Sequence, residues 1–298
     1  MPSKTLAPAL LPVAILSAVL SGAIHTYPAD AAQPGRPVDP AATDDATLPL
    51  WEVGVGAGGG WLPHYPGSDE GSLRAIGAPY VIYRGDVFRV GDEGIARGRV
   101  VNTRLIEFDI SLDGSFDAES DDNDARRGMP DLDFLAELGP QLIVKLHRSA
   151  AEEVDLAVQA RAVLSSDLSN LNYRGLVYQV RLSYESQDFL GSGIGLVANA
   201  GPIFATGRLH DYFYAVDPAH ATAERPAYDA DGGYIGTEAF LGTFYKATDQ
   251  LTLYAGAQVG IYSGAANKDS PLFREDLTAG ILAGFTWSFW QSERRVRE

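Results

Sequence analysis

The sequence predicts an all-β chain folded as a closed antiparallel transmembrane β-barrel of roughly 10–12 strands. Three observations predict it. The N-terminus has the form of an export signal, hydrophobicity alternates with a period of two along most of the chain, and no stretch keeps an apolar helical stripe for long. The alternating segments run about 9–14 residues, enough to cross a bilayer as tilted strands, whereas strands of soluble sandwiches run nearer 5–6.

Composition narrows the function classes. Of 298 residues, 46% are hydrophobic and 21% charged, which separates the chain from disordered acidic polymers. A formal charge of −16 argues against a nucleic-acid partner, which would call for clustered Lys and Arg. With no cysteine, disulfides and thiolate metal sites are excluded.

Residues 1–31 read as a signal peptide: Lys4, an apolar run from Leu6 to Ile24, and a small-residue cleavage site at Ala29-Asp30-Ala31. Pro8 and Pro12 interrupt the run and disfavour the alternative, a transmembrane helix. No cysteine follows to carry a lipid anchor. Residues 32–49, rich in Pro, Ala, Asp and Thr, read as a flexible lead-in. Residues 50–290 form the predicted barrel, and 291–298 a charged tail.

The first strand is WEVGVGAGGGW, with Trp51, Val53, Val55, Ala57, Gly59 and Trp61 on one face. Residues 79–103 contain short strands and glycine breaks compatible with two hairpins or one bulged strand. Alternation resumes around 104–116, 134–147, 152–164, 174–185 and 192–204, then in Leu251–Tyr262 and Leu277–Phe289. Several polar faces carry both signs of charge: Glu153, Asp155, Gln159 and Arg161; Gln179, Arg181 and Glu185; and Glu107, Asp109, Ser111 and Asp113. Either barrel type accommodates such faces, pointing outward in a soluble barrel and inward in a membrane barrel. Aromatics near strand ends (Trp51, Trp61, Tyr65, Tyr173, Tyr184, Phe285, Trp287, Phe289 and Trp290) look like interfacial girdles and favour the membrane reading. LAGFTWSF, residues 282–289, resembles the aromatic terminal strand of outer-membrane proteins, although Leu282 stands where a polar residue is usual.

Candidate sites are few. Gly54-x-Gly56-x-x-Gly59 matches a dinucleotide fingerprint on paper, but no helix follows to receive a pyrophosphate. His64, Ser68 and Asp69 supply the residue types of a hydrolase triad within six positions, yet neighbours on one loop seldom reach a common reaction centre. Pro63, Pro66 and Gly67 mark that loop as a strand exit and turn. Asp117, Glu119 and Asp121 approximate the first ligands of a calcium loop, but its obligatory Gly and bidentate Glu are replaced by Asp122 and Gly128; a solvated acidic loop is the expectation. His147 and His210 sit near strand ends, and no histidine spacing matches a zinc site. We therefore expect no catalytic, cofactor-binding or metal-binding residues.

Four stretches in order, YPGSDE (65–70), GMPDLDFLAELGP (128–140), YFYAVDPAHATAERPAYDADGGY (212–234) and DSPLF (269–273), resemble landmarks of the MipA/OmpV family of outer-membrane barrels. The resemblance implies an outer-membrane location amid lipid and lipopolysaccharide. It also implies a non-enzymatic scaffold role, joining a periplasmic lytic transglycosylase to a penicillin-binding protein in peptidoglycan assembly. A narrow pore or solute channel with a charged lumen is the alternative, and a lipid-modifying barrel hydrolase a more distant one. Whether residues 212–234 plug the lumen or lie outside it is left open.

Overall fold

The computed structural model describes residues 47–297 except 92–94, 116, 150 and 168–169; the signal-peptide reading of residues 1–31 lies outside the described residues. Twelve strands close into an antiparallel barrel. In chain order the wall comprises β2 (Trp51–Pro63), β3 (Gly71–Arg84), β4 (Phe88–Val90), β5 (Ala96–Asn102), β6 (Ile106–Ser115), β7 (Phe134–Arg148), β8 (Glu152–Ser166), β9 (Leu171–Ser186), β10 (Gly195–Ala205), β11 (Gly233–Lys246), β12 (Leu251–Ile261) and β13 (Leu277–Gln291). Neighbours in sequence pair in order, and β13 closes the ring on β2, with Phe285 opposite Ala57. Outside the wall, β1 (Thr47–Pro49) pairs with β14 (Arg295–Arg297) at the end where the described chain begins and ends, the termini side. The tips of the lead-in and of the charged tail thus form a two-stranded sheet. Residues 79–103 resolve into the end of β3 followed by the short β4–β5 hairpin.

The period of two decides which way each side chain points. Outward positions are apolar and exposed: Leu73 (80%), Ile281 (64%), Leu241, Leu253, Phe285 and Trp287 among them. Inward positions carry the charges, with Arg84, Arg97, Glu107, Asp109, Gln141, Gln159 and Arg161 all buried. A soluble barrel would show the reverse arrangement. This wall is built for lipid outside and polar groups within.

Prolines interrupt the ladders where their missing N–H can be spared. The β7–β8 register skips Gly139 and Pro140, and the β9–β10 register skips Gly201 and Pro202. Opposite the termini, four interstrand connections, one of them carrying the only described α-helix, α1 (Gly207–Tyr214), fold over the barrel mouth as a cap.

Candidate functional site: a capped lumen

The termini-side half of the lumen is packed with side chains. On one wall Glu52 binds Arg84 at 2.6 Å, and Arg84 also donates to the Pro49 carbonyl at 3.0 Å. Glu107 gathers Arg97, Arg99 and Lys145 at 3.1, 3.0 and 3.3 Å, and Gln159 donates to Gln141 at 2.6 Å. Ala78 of β3 meets Val197, Phe244 and Tyr254 of β10, β11 and β12 in one buried cluster. β10, β11 and β12 are neighbours and β3 stands three strands beyond β12 in the ring, so this cluster crowds that side of the lumen.

Above that layer lies a cavity of about 470 Å³, within the range of small-molecule sites. Its wall carries the carboxylates of Asp113, Asp117, Asp133, Glu137 and Glu238 and the guanidiniums of Arg74, Arg161 and Arg181. Arg161 contacts both Asp113 and Glu137, at 3.2 and 3.5 Å. Glu238 accepts a hydrogen bond from the Tyr262 hydroxyl at 3.1 Å. Leu135, Val177, Leu209, Phe213 and Ile235 complete the wall under the cap.

The cap is where the four landmark stretches meet. Tyr65, in the β2–β3 loop, is 4% exposed and donates to the Leu272 carbonyl at 2.7 Å. Gly67 turns that loop with φ +79° and lies against the Phe273 ring; its carbonyl accepts from the N–H groups of Arg274 and Glu275. A larger residue there would face both a left-handed backbone and an occupied space. Tyr214, fully buried, donates to the Pro66 carbonyl at 3.0 Å, while Ser270 donates to the Tyr214 carbonyl at 2.7 Å. Arg126 ties in the β6–β7 loop: it donates to Ser120, Pro130 and Phe213, and its guanidinium stands 5.7 Å from the Tyr65 ring centre. Arg225 donates to the carbonyls of Ala125, Arg127 and His220. Burial pushes the Tyr65 and Tyr212 hydroxyls up to about 12, so both remain donors at any physiological pH.

Two histidines are held by buried asparagines. Asn267 donates to His210 Nδ1 at 2.7 Å, and His210 Nε2 donates to the Gly233 carbonyl at 3.1 Å. The asparagine's orientation is fixed because its Oδ1 accepts from Asp231 N–H while its Nδ2 also donates to the Asp231 carbonyl. Asn123 likewise donates to His64 Nδ1 at 3.1 Å, its Oδ1 accepting from the Arg126 N–H. An imidazolium would set an N–H against each amide N–H. Both histidines are lowered from the ordinary value, first by burial; for His64 the nearby Arg74 charge adds to it.

Several sequence expectations are corrected by this geometry. Tyr65 is a buried post of the cap instead of an interfacial aromatic, because its hydroxyl finds a carbonyl. His210 is inside α1 and not at a strand end. The acidic loop keeps Asp117, Glu119, Asp121 and Asp122 exposed as expected, while its neutral Ser120 and Asn123 turn inward and are buried. Residues 212–234 form much of the cap over the mouth. His64, Ser68 and Asp69 are not brought together as a triad. Ser68 is buried, donates to the Glu70 carbonyl at 2.8 Å and reaches His64 only through Asn123, while Asp69 contacts Arg274 at 3.6 Å. Gly54, Gly56 and Gly59 all lie within β2.

The family profile described as MltA-interacting protein MipA matches residues 55–289. No curated protein matches the chain. Among solved structures, an outer membrane channel from Pseudomonas putida F1 is 12% identical with a TM-score of 0.46, covering 85% of this chain and all of its own. The NanC porin is 12% identical (TM-score 0.39; 78% of this chain, 98% of that one). Outer membrane phospholipase A from Escherichia coli is also 12% identical (TM-score 0.33; 80% and 94%).

Proposed function

The chain belongs to the MltA-interacting protein family, an outer-membrane β-barrel, and from that premise we propose that it works as a non-enzymatic scaffold for enzymes of peptidoglycan assembly. The observation that carries the reading is the obstructed lumen. Buried side chains from β3, β10, β11 and β12 crowd it on the termini side and a hydrogen-bonded cap covers the other end, which favours surfaces over a pathway as the working parts. The family's name adds a partner, MltA, and in our reading the partners are a murein-cleaving transglycosylase and a penicillin-binding synthase.

In this reading the termini end faces the periplasm, where murein enzymes act, and the β1–β14 sheet is part of the partner surface. The cap then faces outward amid lipopolysaccharide. Affinity purification from solubilised envelopes tests it. Recovery of a lytic transglycosylase with the full chain, lost on deletion of residues 292–298, is expected. Recovery of no murein hydrolase or synthase would overturn the scaffold reading.

A further inference from the structure

The barrel closes between β3 and β6 only at its termini side, through the short β4 and β5, among the described residues. β3 is 14 residues long, but its partner β4 has three, and they pair only at Tyr83–Val90 and Arg84–Arg89. On the far side β5 pairs with β6 only as far as Ala96–Leu112. The Gly91 N–H bonds to the Ile95 carbonyl, which draws the two described strands of the hairpin together low on the wall. Among the described residues β3 approaches neither β5 nor β6 as paired strands do. The result is a slot, open toward the membrane along Leu73–Pro79.

Strand alternation shows what lines the slot. The Arg84 N–H points to the β2 side, bonding the Leu50 carbonyl, so the backbone groups of odd-numbered β3 residues point into the opening. Leu73, Ala75 and Gly77 turn both N–H and C=O there. Pro79 falls on the same side, where its lack of an N–H suits an unpaired edge. Backbone polar groups facing hydrocarbon are costly without partners, and among the described residues none pairs with this edge, which calls for an occupant.

The slot lies beside the cavity. Arg74 of β3 and Asp113, Gly114 and Asp117 from the β6 side, which flank the slot, also line the cavity, and the Arg74–Asp117 contact of 3.4 Å crosses from one flank to the other. Inside, Asp113 and Glu137 share one guanidinium, and among the described residues no cation pairs with Glu238. The polar chamber has carboxylate to spare, and its side entrance is apolar.

We propose that the capped cavity binds the cationic head of a membrane-dissolved amphiphile, which enters sideways through the β3–β6 slot and leaves its alkyl chain along the β3 edge. Glu238 receives the head. This is independent of the scaffold reading, since it needs no protein partner.

The test uses the full chain in uncharged lipid nanodiscs and a photoreactive dodecylammonium probe, with labelled residues mapped by mass spectrometry. Saturable labelling of the cavity wall is expected, competed by dodecyltrimethylammonium but not by dodecyl sulfate or tetramethylammonium. Glu238→Gln should cut labelling at least fivefold and Glu238→Asp should largely retain it. The chain has no cysteine, so Leu73→Cys and Gly77→Cys can each carry a bulky maleimide at the slot mouth; space for the added Cβ exists at Gly77. Either block should slow labelling at least fivefold, while the same label on Ala223→Cys, exposed on the cap, should not. Heat-modifiable gel migration verifies that each variant folds. Labelling confined to the outer wall, indifference to Glu238→Gln, or a block from the cap instead of the slot would overturn the proposal. So would cavity labelling that requires removal of residues 32–46, because the chain itself would then occupy the slot.

Discussion

The Tyr65 hydroxyl donates to the Leu272 carbonyl across 207 positions of sequence, and this 2.7 Å bond joins the first interstrand loop of the barrel to the last. Together with Tyr214 on Pro66, it makes the cap one cooperative unit and not a set of separate loops. Removing the hydroxyl strands a buried carbonyl that water cannot reach. Tyr65→Phe should therefore destabilise the cap by about 1–2 kcal/mol. Amide hydrogen exchange should show faster exchange in residues 64–70 and 270–275 with the barrel strands unchanged. Unaltered protection of both loops would contradict the cooperative cap.

Arg126 is the densest junction of that unit. It satisfies two backbone carbonyls and the Ser120 hydroxyl, and it sits against the Tyr65 ring. Arg126→Ala removes several donors at once and should cost about 3 kcal/mol, more than Tyr65→Phe. Arg126→Lys should recover little, because an ammonium cannot reproduce the planar fork that reaches separate acceptors. Limited proteolysis of the folded barrel reads the ordering: cleavage within 117–133 should be fastest for Ala, nearly as fast for Lys and slow for the parent.

The two asparagine-held histidines make the cap sensitive to acid. Each imidazole is neutral in the fold, with its pKa lowered from the ordinary 6.5 first by burial. The opened cap returns each histidine to that ordinary value, so it takes up protons at a pH where the closed cap does not. Stability is therefore full above about 6.5 and declines as pH falls below it, levelling off once the folded histidines also protonate. Hydrogen exchange across the pH range should show cap protection weakening below about 6.5. Asn267→Asp replaces an amide donor with a carboxylate and should raise the His210 pKa, readable from its imidazole carbon-bound proton shift. A flat pH profile would remove both histidines from cap closure.

The strands were legible because a two-sided wall imprints a period of two on the chain, and long segments such as 134–147 and 152–164 fall within a residue or two of β7 and β8. The ambiguity at 79–103 had a physical origin: β4 is too short to show a period at all. Gly207–Tyr214 hid its helix for a similar reason, since eight residues give little more than two turns. Tyr65 misled because an aromatic beside a strand end reads alike whether its hydroxyl meets water or a distant carbonyl. The four landmarks were visible as stretches, but their convergence was not. Contacts such as Tyr65–Leu272 and Arg126–Phe213 depend on barrel closure bringing non-neighbouring loops to one end.

The lumen makes the last prediction, on conduction. Two features narrow it in series: the cap, and the buried cluster of Phe244 and Tyr254 with Ala78 and Val197. Removing one barrier leaves the other, so the parent chain and a form lacking residues 208–231 should both be silent in planar bilayers. Phe244→Ala with Tyr254→Ala opens the inner barrier while the cap stays closed, and it should also be silent. Only the combination should pass ions. Its current should favour cations, since the chamber it exposes holds Glu137 and Glu238 along with Asp113. Conductance in the parent would place the working path through the lumen and favour a channel over a scaffold. Silence in the combined variant would instead assign the barrier to the ion-paired layer around Glu107.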